Sequence, residues 1–330
     1  MELIKTLTRL VTSFGPSGSE GEISQAIEEL ARPYVDELAR DAMGNLICRK
    51  KGSGPRIMFS AHMDSIGLVA THIDEKGFVH VGALGGVSAG EALFTPVRFQ
   101  NGACGLICAP EDKDKGKLKA ADLLIDVGAA DFEEAKKLVQ VGDPAVYDTP
   151  VRVAGNRVIS PYLDNRVSCL VLLMVMERLA GADNDLYFVF SSQEEVGTRG
   201  AKTAAWAIDP EYGISLDVTG VDDEPGSKHL ASALCGKGAA VKVMDRSVIC
   251  TPALVDKLLE LGAEQGIPVQ RDVLQAGGTD AGPIQATRAG VYAGGISIPC
   301  RYTHTPTEMV DLGDVQACVD LAAAFACCNL

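Results

Sequence analysis

The sequence predicts an α/β fold interrupted by a β-rich insertion. Three observations carry this. Helical and strand-like patterns alternate up to about residue 67 and again from about 159 onward, as they do where helices pack on a sheet. Between 68 and 158 short strand-like pieces are divided by Gly, Asp and Lys turns, and helix signals are sparse. The chain has 330 residues, enough for one large domain or two smaller ones. The expected division is therefore residues 1–67 with 159–330, and 68–158 as the insertion.

Residues 2–13 alternate Leu, Ile and Val with Lys, Thr and Arg, which suits an amphipathic surface helix. GPSGSE (15–20) is a turn cluster, and Ser17 or Ser19 is placed to cap a second helix over about 20–32. VDELARDAMGNLICRKKG follows as strand, turn and strand, with Gly44–Asn45 near the turn. RIMFSA (56–61) is a short apolar run of the buried-strand kind, and it delivers AHMDSIG (61–67) at its C-terminal end. Ligands and catalytic groups in open α/β sheets favour that end of a strand.

The insertion reads as LVATHI, FVHVGAL, PVRFQ, GACGLICA, LLIDVG and NRVIS, with one helix at FEEAKKLVQ (132–140). Beyond it come a strongly apolar helix (168–180), a buried strand (185–192), a helix (198–208) and a strand ending in LDVT (211–219). A strand at 239–245, an amphipathic helix at 252–265, the strand-like QRDVLQ and VYAGGISI, and a helix over about 313–328 complete the order.

Composition narrows the function classes. The net charge of −14 argues against nucleic acid or an anionic membrane as partner, since both repel an acidic surface. No stretch reaches transmembrane length and the N-terminus has no continuous apolar leader core. Ten scattered cysteines suit reduced thiols in a cytoplasmic protein and not a disulfide framework. Cys104 and Cys108 lack the second pair that a zinc ribbon needs.

Six residues carry the candidate chemistry. His62, Asp164, Glu195, Asp217 and His304 are the imidazole and carboxylate inventory of a two-metal hydrolytic site, and Glu194 is left over to handle a proton. His62 ends a predicted strand, and Asp64 two residues on is placed to accept its second N–H. Asp164 precedes an apolar helix, where capping explains an Asp as well as metal binding does. Glu194 and Glu195 follow a buried strand, and their mutual repulsion is relieved either by a cation or by solvent. Asp217 sits at the next strand end. His304 lies in IPCRYTHTPTEM (298–309), which Pro299 and Pro306 mark as a shaped loop. His72, His80 and His229 read as structural or surface residues. Asp222, Asp223 and Glu224 read as solvated. GGTDAGP (277–283) has no phosphate-loop spacing and reads as backbone brought close to a site.

These motifs resemble the co-catalytic zinc aminopeptidases, most closely the tetrahedral (TET), or glutamyl and deblocking, aminopeptidase family. The matching strings are AHMDSIG, LDNRV, QEEVGTRGA, LDVT, and GGTDAG with RYTHTPTEM, in the family's order across nearly the whole chain, with a weaker match at GPSGSE and GNL. The resemblance implies a three-layer α/β/α catalytic domain with a mixed central sheet and a small β-barrel, PDZ-like insertion that serves dimerisation. It implies two divalent ions per subunit, zinc with cobalt or manganese as alternatives. One ion takes Asp164, Glu195 and His304, the other His62, Asp164 and Asp217, with Asp164 bridging and a cis peptide to Asn165. It implies Glu194 as general base, Asp64 orienting His62, and a substrate peptide whose free α-amine is bound. Gly278, Thr279, Asp280 and Arg301 are implied near the substrate. Dimers assembling to a dodecamer are the implied oligomer. Ser65, Pro283, Gln285 and Cys300 depart from the family pattern without removing a ligand, so they bear on pocket shape.

Three other readings compete. A related dimetal deacylase or carboxypeptidase places its extra domain later in the chain, whereas here the gap from Asp217 to His304 is filled by α/β elements. Some relatives carry an endoglucanase label, but glycosidases use two carboxylates flanking a sugar and no metal pair. A non-catalytic assembly protein of the same fold predicts a lost ligand or base, and all six residues are present. The preferred N-terminal residue is left open, with Arg199, Arg288 and Arg301 as candidates for receiving an acidic side chain.

Overall fold

The computed structural model describes residues 1–179, 181 and 183–330. The chain begins with helices α1 (Leu3–Thr12) and α2 (Gly21–Ala31), the hairpin β1 (Glu37–Arg40) and β2 (Leu46–Lys50), and strand β3 (Arg56–His62). It then builds β4 (Gly67–Ile73), β5 (Phe78–Leu84), α3 (Ala89–Ala92), β6 (Pro96–Phe99), β7 (Cys104–Cys108), β8 (Leu124–Asp126), α4 (Phe132–Leu138) and β9 (Pro144–Tyr147). It continues through β10 (Arg152–Ala154), β11 (Arg157–Ser160), α5 (Leu163–Arg178), β12 (Asp185–Ser191), α6 (Arg199–Ile208) and β13 (Tyr212–Thr219). The rest is β14 (Ala239–Met244), α7 (Pro252–Gln265), β15 (Val269–Val273), α8 (Ala281–Gln285), β16 (Tyr292–Arg301), β17 (Glu308–Asp311) and α9 (Leu312–Cys327).

Two sheets result. An 11-stranded mixed sheet runs β1-β2-β12-β3-β13-β16-β17-β11-β10, with β14 also paired to β16 and to β15. Strands β4-β5-β8-β7-β6-β9 close into an antiparallel barrel with its own core, which includes Val79, Phe99, Ile107 and Ile125. Closure leaves no edge strand unpaired.

The alternation of side chains along a strand explains why the central strands read as continuous apolar runs. On β3, Ile57, Phe59 and Ala61 face the large core with α5 and α9, while Met58 faces a second core with α6 and α8. On β12, Leu186, Phe188 and Phe190 take the first face and Val189 the second. Helices therefore cover both faces, giving three layers. Helix α5 has no polar face because it has no solvent face: Leu163 to Met176 are all buried, against β3, β13, α1, α2 and α9.

Several expectations are corrected. Neither Ser17 nor Ser19 caps α2, whose N-cap position is Glu20 with no side-chain cap; Ser17 is drawn to Asp64 instead. NRVIS, read with the insertion, is β11 and pairs with β17 in the large sheet. Strand β9 closes the barrel yet was not expected, since it is short and opens on a proline that supplies no ladder N–H. Pro299 lies inside β16, not in a loop. The helix expected over 168–180 begins at Leu163, and its expected last residue, 180, lies outside the described residues.

Candidate metal centre

Strands β12, β3, β13 and β16 run parallel and adjacent, so their C-terminal ends open at one edge of the sheet. His62 is the last residue of β3, in register with Ser191 at the end of β12. Glu194 and Glu195 follow β12 in the next loop, Asp217 stands near the end of β13, and His304 follows β16. Asp164 comes from the other direction, at the start of α5. Its peptide to Asn165 is cis, both residues depart from helical angles, and its side chain does not cap the helix.

All six side chains converge. His62 Nε2 lies 3.1 Å from Asp164 Oδ1, 3.6 Å from Asp217 Oδ1 and 3.9 Å from Glu194 Oε2. His304 Nε2 lies 3.2 Å from Asp164 Oδ2 and 3.3 Å from Glu195 Oε2. The two oxygens of Asp164 thus face different histidines, and each histidine meets a further carboxylate. Ligand atoms of His62, Asp164 and Glu195 all lie within 4.8 Å of one another.

The group is held by partners remote in sequence. Asp64 is fully buried and accepts from the N–H groups of Glu194 (3.0 Å) and Glu195 (3.2 Å) and from Ser17 Oγ (2.6 Å). His62 Nδ1 lies 3.2 Å from the Asp64 main-chain oxygen and 3.5 Å from its carboxylate. Glu308, absent from the expected set, is buried and accepts from the N–H groups of Asp164 and His304, each at 2.8 Å. Its place in RYTHTPTEM was the only signal. The barrel also reaches the centre. A Cβ on Gly86 would fall 2.6 Å from His304 Nδ1, so only glycine fits that approach.

Electrostatics follow from crowding acids away from water. Burial pushes the Glu194 and Glu195 carboxyls up, against the pull of the neighbouring histidines. Burial likewise pushes Asp217 up to about 7, aided by Asp164 and Asp280 and opposed by His62. For Asp164 burial acts the same way, but His304 and His62 outweigh it and hold its carboxyl below the usual range. Burial disfavours the His62 imidazolium, yet Asp217, Glu194 and Asp164 together hold its pKa well above the usual value.

The substrate-side residues divide. Gly278 and Thr279 line a cavity of about 520 Å³ over the centre. Asp280 does not line it. That residue is buried beneath, where its Oδ2 accepts from Ser60 (2.6 Å) and Ser191 (2.5 Å). Nor does Arg301, which forms a two-pronged ion pair with Asp223 at 2.6 and 3.1 Å. Asp223 is therefore paired and half-buried, not solvated as expected. His72 and His80 pack ring to ring in the barrel, and the His229 side chain is exposed.

Residues 44–321 match the family model described as M42 glutamyl aminopeptidase. A provisionally named aminopeptidase of Acetivibrio thermocellus is 45% identical over 328 residues, covering 99% of this chain and 98% of that protein. The solved aminopeptidase APDkam598 of the archaeon Desulfurococcus kamchatkensis superposes with a TM-score of 0.93 at 38% identity, covering 98% of this chain and 94% of that one. The Pyrococcus horikoshii TET1 peptidase, described as assembling into a tetrahedron or a large octahedral shell, gives a TM-score of 0.90 at 30% identity, with 99% of each chain covered.

Proposed function

The chain belongs to the M42 glutamyl aminopeptidase family and is an aminopeptidase, a hydrolase of the exopeptidase kind, and we propose that it cleaves at a two-metal centre with Glu194 as general base. M42 peptidases are metal-dependent, and the residues fit a pair of cations. Four buried or nearly buried carboxylates meet two histidines with no Lys or Arg lining the cavity among the described residues, and Glu195 Oε1 is a buried acceptor without a donor. Buried negative charge of that density needs cations.

The observation that carries the reading is the division of Asp164 between His62 and His304. It supports Asp164 as the residue that would be shared between two ions, with His62 and Asp217 holding one and Glu195 and His304 the other. Imidazole and carboxylate donors suit zinc, with cobalt and manganese as alternatives. Such ions, when bound, polarise the scissile carbonyl and make water more acidic. Glu194 lines the cavity, and its carboxylate takes a proton from the attacking water and delivers it to the leaving amine. Asp64 fixes the Glu194–Glu195 backbone, so base and ligand keep their separate roles.

The remaining parts of the reading concern assembly and location. We assign the barrel, strands β4 to β9, to dimerisation and the large sheet with its helices, β10 and β11 included, to catalysis, with dimers building a dodecamer. The shell described for the Pyrococcus horikoshii relative supports this, as do Phe94 and Val141, exposed apolar side chains on the barrel. The partners are then further copies of this chain and peptides with a free N-terminus. Among the described residues no helix is long and apolar enough to cross a membrane. Ten free cysteines support a cytoplasmic location.

Glu194→Gln tests the mechanism. It is expected to retain two metals per chain by elemental analysis while kcat on aminoacyl anilides falls by about 100-fold or more. Wild-type turnover in that variant would remove Glu194 from its role.

A further inference from the structure

The cavity over the metal centre carries a second message, in what its walls lack. Its charged wall residues are His62, Asp164, Glu194, Glu195, Asp217 and His304, all of them already engaged by the proposed chemistry. The remaining wall is neutral: Leu274 supplies apolar surface, Thr198 and Thr279 hydroxyls, and Gly220 and Gly277 bare backbone, while the Val218 side chain belongs to the core. Among the described residues no Lys, Arg or additional acid lines it.

The three arginines that the motifs brought close are committed elsewhere. Arg301 is paired with Asp223. Arg288 lies over the Trp206 ring and donates to the Trp206 carbonyl. Arg199 donates to Gln193 Oε1 at 3.0 Å. None is presented to the cavity. Leu274 is held where a substrate side chain would meet it. Its main-chain N–H donates to Met244 O at 3.0 Å, and its methyl groups lie over Gly220 and Gly277, whose added Cβ atoms would touch them at 3.5 and 3.6 Å. Leu274 is half-buried and lines the cavity.

Resting on the aminopeptidase reading above, we infer that this site selects peptides whose N-terminal side chain is uncharged and aliphatic, with Leu274 as the surface that receives it. An acidic side chain finds no cation there beyond the metals. A basic one finds no acid that is not already a ligand or the base. Burying a charge without a partner is strongly unfavourable, and apolar surface gains from burial in proportion to its area. The preference therefore departs from the glutamyl description of the family model.

The test is a panel of Leu-, Ala-, Glu- and Lys-p-nitroanilides and N-acetyl-Leu-p-nitroanilide on the metal-loaded full-length protein. Leu is expected to exceed Glu and Lys by about 100-fold in kcat/KM, since a charged side chain is left unpaired. Equal or faster turnover of Glu or Lys overturns the inference while leaving the aminopeptidase reading intact. Cleavage of the acetylated substrate alone overturns the aminopeptidase reading, and this inference with it. Leu274→Lys should raise the Glu-to-Leu ratio by about 10-fold or more, through KM, and Leu274→Glu should do the same for Lys. Unchanged ratios in both folded variants remove Leu274 from the pocket.

Discussion

Gly86→Ala should disable the metal centre without unfolding the protein. The added Cβ would stand 2.6 Å from His304 Nδ1 and 3.0 Å from Cε1. Ordinary contact begins at 3.4 Å, so the ring must retreat by about 0.8 Å (3.4 − 2.6). The retreat is opposed on the far side, where Nε2 faces Asp164 and Glu195 at 3.2 and 3.3 Å. The His304 main-chain N–H is also held by Glu308 at 2.8 Å. Gly86 is not among the glycines with positive φ, so alanine meets no backbone penalty and the effect is steric alone. Perturbing a ligand's surroundings typically costs 10–100-fold in metal affinity, so a loss of about that size is expected. A displacement near 1 Å should also lower kcat/KM by about 100-fold. Metal titration by calorimetry and Leu-anilide kinetics read the two effects, and thermal unfolding of the metal-free protein reads the fold. Wild-type affinity and turnover in Gly86→Ala would refute both the crowding and the assignment of His304 as ligand.

Three further outcomes are expected. Glu308→Gln replaces one of two acceptor oxygens with a donor that opposes an N–H, so metal affinity should fall by about 10-fold or more with the far-ultraviolet dichroism unchanged; unaltered affinity would remove its positioning role. Arg166 is fully buried and donates to the carbonyls of Leu10, Ser13 and Gly15, so Arg166→Met should cost about 3 kcal/mol in denaturant unfolding by removing these three charge-assisted hydrogen bonds, although the Ser13 and Ser65 N–H groups still donate to Leu10 and Gly15. The Asp314 carboxyl is pushed up to about 6 by burial, against the N–H groups of Gly236 and Gly238 that favour its charge. Its folded pKa exceeds the unfolded value of about 3.9, so its contribution to stability is complete below that pH and is lost as pH rises towards about 6. Asp314→Asn should flatten stability across that window, and an unchanged slope in denaturant titrations would exclude Asp314 as its source.

What was legible in the sequence is what local pattern encodes. The apolar runs of β3 and β12 announced buried strands, and polar residues at their ends announced a site. Glu194 and Glu195 stood out because two adjacent acids after such a strand need an explanation. Pairings across the chain were not legible. Asp223 looked solvated because nothing in its loop reveals Arg301, 78 residues away. Ser17 looked like a helix cap because serine in that position so often is one, and its partner Asp64 lies in another motif. Glu308 and Gly86 act through geometry alone: one spans two backbone N–H groups, the other leaves room for a ring. Asp164 was ambiguous because a cap and a bridge ask for the same side chain at the same kind of position.

The order in which the chain is made gives the sheet topology a further meaning. His62, on β3, is made well before His304, which follows β16, a strand in the middle of the sheet. A nascent chain cannot complete the ligand set until β16 has taken its place beside β13. Assembly of the proposed centre therefore waits on a pairing between strands far apart in sequence.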